Sequence, residues 1–307
     1  MPQVHEGVAA LFGYSVDCDA PLSRAGAGPN GRGTLRIHST PEELLARDGE
    51  LVSWAERDGA EFALATSGDD LLVWCSVTGS YVIQAAGPEI VTRRTGEHEH
   101  WEHRLGATIV PLALAERGDL ALHAAAVVDD GKAVLFCGPA GRGKSTLTAA
   151  LAIEGIDVLS EDGAVISDLG GEPLTWPGQV GVRIAGDVVG AIGGGGATNG
   201  DEKTTLLVGH RPGAGPAPVG SIVLLAEPGG PRPEARRLDP VAALPAVMPH
   251  VLYGGPDRLA QTLALVARLA ARVPVYRGRL PRDLERVGEH ARALLLGLEL
   301  QAYPERR

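Results

Sequence analysis

The first hundred residues alternate between hydrophobic and polar positions over short stretches. Thr34-Leu35-Arg36-Ile37-His38 and Glu61-Phe62-Ala63-Leu64 alternate in character, and Leu71-Leu72-Val73-Trp74-Cys75 and Tyr81-Val82-Ile83 follow, with Gly or Asp between them. Such runs, punctuated by turn residues, predict strands. One stretch departs from the pattern. Pro41, Glu42 and Glu43 precede Leu44, Leu45, Leu51 and Trp54, which predicts a short helix within 41–57, with Thr40 as its N-cap and Pro41 at its first position. From about residue 106 the period changes. Residues 109–114 are apolar and helix-like, and 120–128 and 132–137 predict two strands joined by an Asp129-Asp130-Gly131 hairpin turn. Strands at 158–159 and 221–225 then alternate with helices near 240–250, 256–272 and 281–298. The pattern divides the chain into a β-rich part, 1–105, and an α/β part, 106–307. Four consecutive glycines open a segment at 193–200 that cannot pack a core, and 211–219, rich in Pro and Gly, predicts a second loop.

Composition narrows the class. A length of 307 residues suits two domains or one large one, and 44% hydrophobic with 21% charged residues is globular rather than disordered. The 42 glycines and 22 prolines show no Gly-X-Y period, which excludes collagen and implies loops. Cys18, Cys75 and Cys137 are far apart and form no CxxC pair, which excludes a disulfide scaffold and a zinc ribbon. Lys and Arg total 28 against 38 Asp and Glu, so a net charge of −10 gives no electrostatic footprint for nucleic acid. No apolar run is long enough to span a membrane and no signal peptide is visible, so the expected location is cytoplasmic.

The chemistry-bearing motif is Gly138-Pro139-Ala140-Gly141-Arg142-Gly143-Lys144-Ser145, which fits G-x-x-x-x-G-K-[ST] at every fixed position. An apolar strand at 133–137 precedes it and a helix from Thr146 follows. Glycines let backbone N–H groups turn inward around phosphates, and the helix N-terminus adds its positive end. Lys144 would reach the β- and γ-phosphates and Ser145 would ligate Mg²⁺, so ATP and Mg²⁺ are the expected ligands. Downstream, Glu161-Asp162 follows a short apolar strand. One carboxylate there would help hold Mg²⁺ while the other takes the proton of an attacking hydroxyl. On a strand their side chains would point to opposite faces. His123 lies within an apolar strand, where a histidine is more often a core residue than a catalytic one. Glu97-His98-Glu99-His100-Trp101-Glu102-His103 reads as a solvated linker. A metal site would need its ligands on one face, and His98 and His100 share a face only on a strand.

Taken together, Leu122-His123-Ala124-Ala125-Ala126-Val127, the glycine-rich loop and Leu159-Ser160-Glu161-Asp162 resemble the catalytic domain of the HPr kinase/phosphorylase family. Its relatives include the kinases of lasso-peptide biosynthesis. The segments 110–118, 176–183, 202–204 and 271–276 also resemble elements of that family, over roughly 106–290, and the front half does so more weakly through 14–22. The resemblance implies a P-loop kinase fold related to phosphoenolpyruvate carboxykinase, and a serine hydroxyl as acceptor. It implies Lys144 on the phosphates, Ser145 on Mg²⁺ and His123 near the reacting phosphate. Glu161 stands where the family has an aspartate that accepts the proton, and Asp162 is the expected metal ligand. Glu202 is a candidate second metal ligand by neighbourhood alone. The signature of the phosphorylase reaction is not evident, so dephosphorylation is not expected.

The expectation is an ATP- and Mg²⁺-dependent kinase whose catalytic residues are Glu161, Asp162, His123, Lys144 and Lys203. The nucleotide would lie on 138–146, with Lys203 or Arg183 countering phosphate charge. The acceptor would be a peptide, protein or small-molecule hydroxyl. The β-rich part would select it or build a homo-oligomer. The rivals are a natural-product kinase and a nucleotide-gated binding protein without transfer chemistry.

Overall fold

The computed structural model describes residues 9–27, 31–42, 50–57, 60–168, 170–192, 203–206, 214–252 and 258–302. The chain is mixed α/β with two large sheets. The front sheet is built from β1 (Ala9–Leu11), β2 (Tyr14–Cys18), β3 (Gly26–Ala27), β4 (Thr34–Ser39), β5 (Glu50–Arg57), β6 (Ala60–Ser67), β7 (Asp70–Cys75), β8 (Gly79–Ile83) and β9 (Glu89–Arg94). Their order is β3-β1-β2-β4-β9-β8-β7-β6-β5. Alternation fixes which face is buried: Leu35 and Ile37 of β4 face the core while Arg36 between them is exposed. The predicted strands at 34–38, 61–64, 71–75 and 81–83 all form.

The helix expected within 41–57 does not extend through that range. Residues 43–49 lie outside the described residues, and Glu50–Arg57 is β5, paired with β6 from Glu50↔Thr66 to Arg57↔Ala60. Leucine spacing over so few residues fits either period, and the cross-strand ladder decides for the strand. Thr40 Oγ1 does accept a hydrogen bond from the Glu42 N–H, at 3.2 Å.

The linker expected at 97–103 is a helix. α1 (His98–Arg104) runs through a π-helical turn (Leu105–Ile109) into α2 (Val110–Ala115). Trp101 is the reason. Its fully buried ring fills the front-sheet core, and its Nε1–H donates to Thr92 Oγ1 at 3.1 Å. Leu105, Ile109 and Val110 join the same core, so the helix packs on the front sheet on both sides of residue 105.

The second sheet contains β10 (Leu120–Leu122), β11 (Ala124–Asp129), β12 (Lys132–Cys137), β13 (Asp157–Ser160), β14 (Ala164–Ser167) and β15 (Leu174–Thr175). After the separate β16 (Val182–Ala185) and β17 (Lys203–Leu206) hairpin come β18 (Ala217–Leu225), β19 (Glu234–Arg237), β20 (Val251–Leu252) and β21 (Val275–Arg279). The order is β13-β11-β12-β18-β15-β14-β10-β20, with β21 also beside β18 and β19 beyond it. The predicted 120–128 strand is two strands. β10 pairs with β14 and β20, whereas β11 pairs with β12 and β13, so the chain changes partners at His123. The hairpin turn forms as expected, with Asp130 and Gly131 at φ 45° and 73°. The loop expected at 211–219 is shorter: Ala217, Pro218 and Val219 begin β18, because β15 pairs with the first two and β12 with Val219.

Helices α3 (Lys144–Ile153), α4 (Gly186–Ala191), α5 (Pro240–Val247), α6 (Leu259–Arg272) and α7 (Val287–Ala302) complete the second half. Side chains of α3 and α7 share a core with Phe136, Val223 and Tyr276, while α5 and α6 share one with Leu135, Ile222 and Val275. Among the described residues no helix is long and apolar enough to cross a membrane.

Candidate active site

The glycine-rich loop joins the C-terminal end of β12 to α3. Gly141 and Gly143 adopt φ 75° and 85°, a backbone that other residues rarely take, and Gly143 is the N-cap of α3. No side chain caps that helix, so the N–H groups of its first turn, including Lys144, Ser145 and Thr146, lack intrahelical acceptors. Pro139, Ala140 and Gly141 are exposed at the loop tip. Arg142 reaches sideways to Glu227, at 2.6 Å. The Lys144 side chain is buried and folds back: Nζ donates to Gly138 O at 2.8 Å and to His123 Nε2 at 3.1 Å. It thus holds its charge over the mouth of the loop.

The acidic pair lies in a turn rather than on the strand, which ends at Ser160. Gly163 N–H donates to Glu161 O at 2.8 Å, closing a three-residue turn around Asp162, whose φ is +60°. A left-handed conformation at an aspartate is strained and is held by its surroundings. Gly163 is forced, because a Cβ there would lie 2.6 Å from Ala107 O in the π turn. The turn brings both carboxylates toward the loop instead of setting them on opposite faces.

Glu161 is buried at 1% exposure. Its Oε1 accepts from Ser145 Oγ at 3.3 Å and from the Arg183 N–H at 3.3 Å, and its Oε2 accepts from Arg24 Nη2 at 3.2 Å. Asp162 is more open, at 24%. Its Oδ2 lies 3.6 Å from His103 Nε2, its Oδ1 lies 3.9 Å from His123 Nε2, and its backbone O accepts from His123 Nδ1 at 3.0 Å. Burial, and then the Asp162 charge, push the Glu161 carboxyl up to about 7 against the pull of Arg24. Burial also pushes Asp162 up, but the His103 contact, the charge that the His123 and His103 rings take on in acid, and the Lys144 charge win and hold it below the usual carboxylate range. Burial drives His103 down to about 4, so its ring is neutral at pH 7. Two neighbouring carboxyls with such opposed environments are suited to different tasks.

A carboxylate beside a serine hydroxyl at a helix N-terminus fits Mg²⁺, which takes one or two protein oxygens and completes its shell with water and phosphate. Ser145 and Glu161 form that pair here. The histidine cluster does not behave as a unit. On a helix His98 and His100 point apart; His98 stacks on Trp101, His100 lies 3.7 Å from Glu97, and only His103 enters the site. Among the described residues no group of three or more His, Cys, Asp or Glu side chains is arranged to hold a metal ion.

The structure thus gathers Lys144, Ser145, His123, Glu161 and Asp162, and places Arg183 at their edge through β16. Lys203 begins β17; its side chain, Glu202 and the 193–200 segment fall outside the described residues. Sequence reasoning missed Arg24, His103 and Gln179. Arg24, in the loop between β2 and β3, is 3% exposed and donates from Nη1 to His103 Nδ1 at 2.9 Å. Gln179 Nε2 lies 3.2 Å from the same nitrogen. Nothing near Arg24 in sequence marks it, and His103 was submerged in its charged neighbours.

No family model matches the chain, and no curated protein matches it. Among solved structures, it is similar to the Hpr(Ser) kinase/phosphatase from Coxiella burnetii. That likeness covers 59% of this chain and 97% of the other, at 18% identity and a TM-score of 0.33. The two chains are similar at that level and no closer, so the chemistry below rests on this chain's own geometry.

Proposed function

We propose that the chain is an ATP- and Mg²⁺-dependent phosphotransferase acting on a hydroxyl group, with a serine of a peptide or protein as the first choice of acceptor. One observation carries the reading: a glycine-rich loop with its lysine and serine lies within hydrogen-bond range of His123 and Glu161, with the Asp162 carboxylate beside them. In this reading Lys144 and the first-turn N–H groups of α3 bind the phosphates. Ser145 and Glu161 hold Mg²⁺, which supplies charge neutralisation when bound. Asp162 accepts the proton, because it is ionised, partly exposed and free of the serine that engages Glu161. The resemblance aligns Glu161 with the proton acceptor; this reading gives that role to Asp162 and the metal to Glu161.

The acceptor oxygen bonds to the γ-phosphorus as the bond to the bridging oxygen of ADP breaks. The electron pair of that bond leaves with ADP, and the acceptor proton passes to Asp162. A largely dissociative transition state asks little of a base beyond position, so a carboxylate of low basicity suffices. Lys144 lies where it would offset charge on the transferring group. His123 fixes both Lys144 and the Asp162 backbone. We further propose that residues 1–105 form an acceptor-selecting unit.

The test is incubation with γ-labelled ATP and Mg²⁺ against serine peptides, proteins and small alcohols. Label on an acceptor, lost in Lys144→Met, is the expected result. Tight nucleotide binding with no transfer to any acceptor overturns the kinase reading.

A further inference from the structure

We infer that Arg24 and His103 are positioning residues for Asp162: a hydrogen bond from Arg24 sets the His103 ring, and the contact of that ring with the carboxylate lets the front sheet orient the proton acceptor. The inference rests on the phosphotransfer reading for its consequence, but its geometry is independent of it.

The linkage starts from how Arg24 is held. Its backbone N–H and the Ser23 hydroxyl both donate to the buried Glu102 carboxylate of α1. Its Nε donates to Val180 O at 3.0 Å and its Nη2 to Gly181 O at 2.9 Å. The guanidinium is therefore fixed at both ends before it meets the site. Nη1 then points at His103 Nδ1, 2.9 Å away. A guanidinium only donates, so Nδ1 must accept, and a neutral ring whose Nδ1 accepts carries its proton on Nε2. That N–H faces Asp162 Oδ2 at 3.6 Å.

His123 has the opposite tautomer. Its Nδ1 donates to the Asp162 carbonyl and its Nε2 accepts from Lys144. The two imidazoles thus grip one residue from two sides, His123 by the backbone and His103 by one carboxylate oxygen. Asp162 Oδ1 is left on the side of His123 and Lys144, where the phosphoryl group would lie. A strained turn needs such external restraint to keep one carboxylate orientation. The π turn that follows α1 packs on the same turn through Gly163, and Gly106 packs against Gln179, so the helix carrying His103 is locked to the acidic pair. Nothing in this linkage depends on bound metal.

The test reads the ring directly. Long-range ¹H–¹⁵N spectra of protein labelled at histidine, with His103 assigned by its loss in His103→Gln, should show an Nε2–H tautomer at neutral pH. An Nδ1–H tautomer or an imidazolium overturns the inference. Arg24→Met should move His103 toward a tautomer mixture and lower kcat at least about tenfold, a part of the roughly 10²–10⁴-fold that a positioned base contributes. ATP affinity by calorimetry in EDTA should stay within about twofold, since Arg24 touches the proposed metal ligand Glu161 but none of the groups assigned to the phosphates. An unchanged tautomer in a folded Arg24→Met refutes the link. If that variant fails to fold, His103→Gln against His103→Leu decides: the amide can accept from Arg24 and donate to Asp162, so Gln should retain most of kcat and Leu should not. Equal losses in both overturn the inference. A wild-type protein that transfers phosphate to no acceptor sinks the kinase reading alone, and the tautomer measurement still decides the Arg24–His103 link.

Discussion

Replacing Glu161 by Gln removes a buried charge while keeping an oxygen for Ser145 and the Arg183 N–H. The structure sets the size and sign of the effect on stability. In the unfolded chain this carboxyl titrates at its ordinary value of 4.5, and in the fold burial and the Asp162 charge push it to about 7. Between those values the folded state holds the proton and the unfolded state does not. Stability from this group is therefore present below the lower value and is lost as pH rises to the upper one. At about 1.4 kcal/mol for each pH unit, the full loss is roughly 3 kcal/mol, large beside a total of about 5–15 kcal/mol. Glu161→Gln lacks this dependence. Urea unfolding of both proteins in EDTA should show the variant gaining roughly 2–3 kcal/mol on wild type between pH 5 and pH 8. His103 and Asp162 titrate in both proteins and largely cancel in the comparison. A gain below about 0.5 kcal/mol, or one of opposite sign, would refute the argument that Glu161 is held above its ordinary range.

Further outcomes are expected. Lys144→Met should weaken ATP binding by on the order of tenfold or more by calorimetry, since it removes the buried cation at the loop mouth. Asp162→Asn should lower kcat by about 10²–10⁴-fold with little change in ATP affinity, whereas Ser145→Ala should raise the Mg²⁺ concentration needed for half-maximal rate; exchange of these two phenotypes would reverse the assigned roles. Gly13→Ala should destabilise by about 2–3 kcal/mol in thermal unfolding, because φ is +81° and the new Cβ would lie 2.4 Å from the Trp176 ring. Asp239→Ala should cost about 1 kcal/mol, because its carboxylate caps α5 through the Ala242 N–H at 2.9 Å.

The sequence by itself determined the local elements whose signals are local. Alternation placed β4, β6, β7 and β8, and the Asp130-Gly131 pair placed the hairpin between β11 and β12. The spacing from Gly138 to Ser145 placed the loop and its helix, since glycine freedom and strand-then-helix context all act within a few residues. Tertiary structure decided the rest. Residues 97–103 have no helical signal beyond a single tryptophan, and it took a core with room for the Trp101 ring to fold them into α1. Partner exchange at His123 depends on strands far away in sequence, at 164–166 and 251–252. Glu161 and Asp162 converge on the loop because a left-handed turn, forced by the approach of Ala107 to Gly163, replaces the expected strand. Arg24 reaches Glu161 across 137 residues of chain, and His103 reaches Asp162 from the other sheet's helix. Short-range patterns encode hydrogen-bonded periodicity and turn geometry, whereas the pairing of buried charges is fixed only when folding removes them from water and leaves each with the partners close enough to satisfy it.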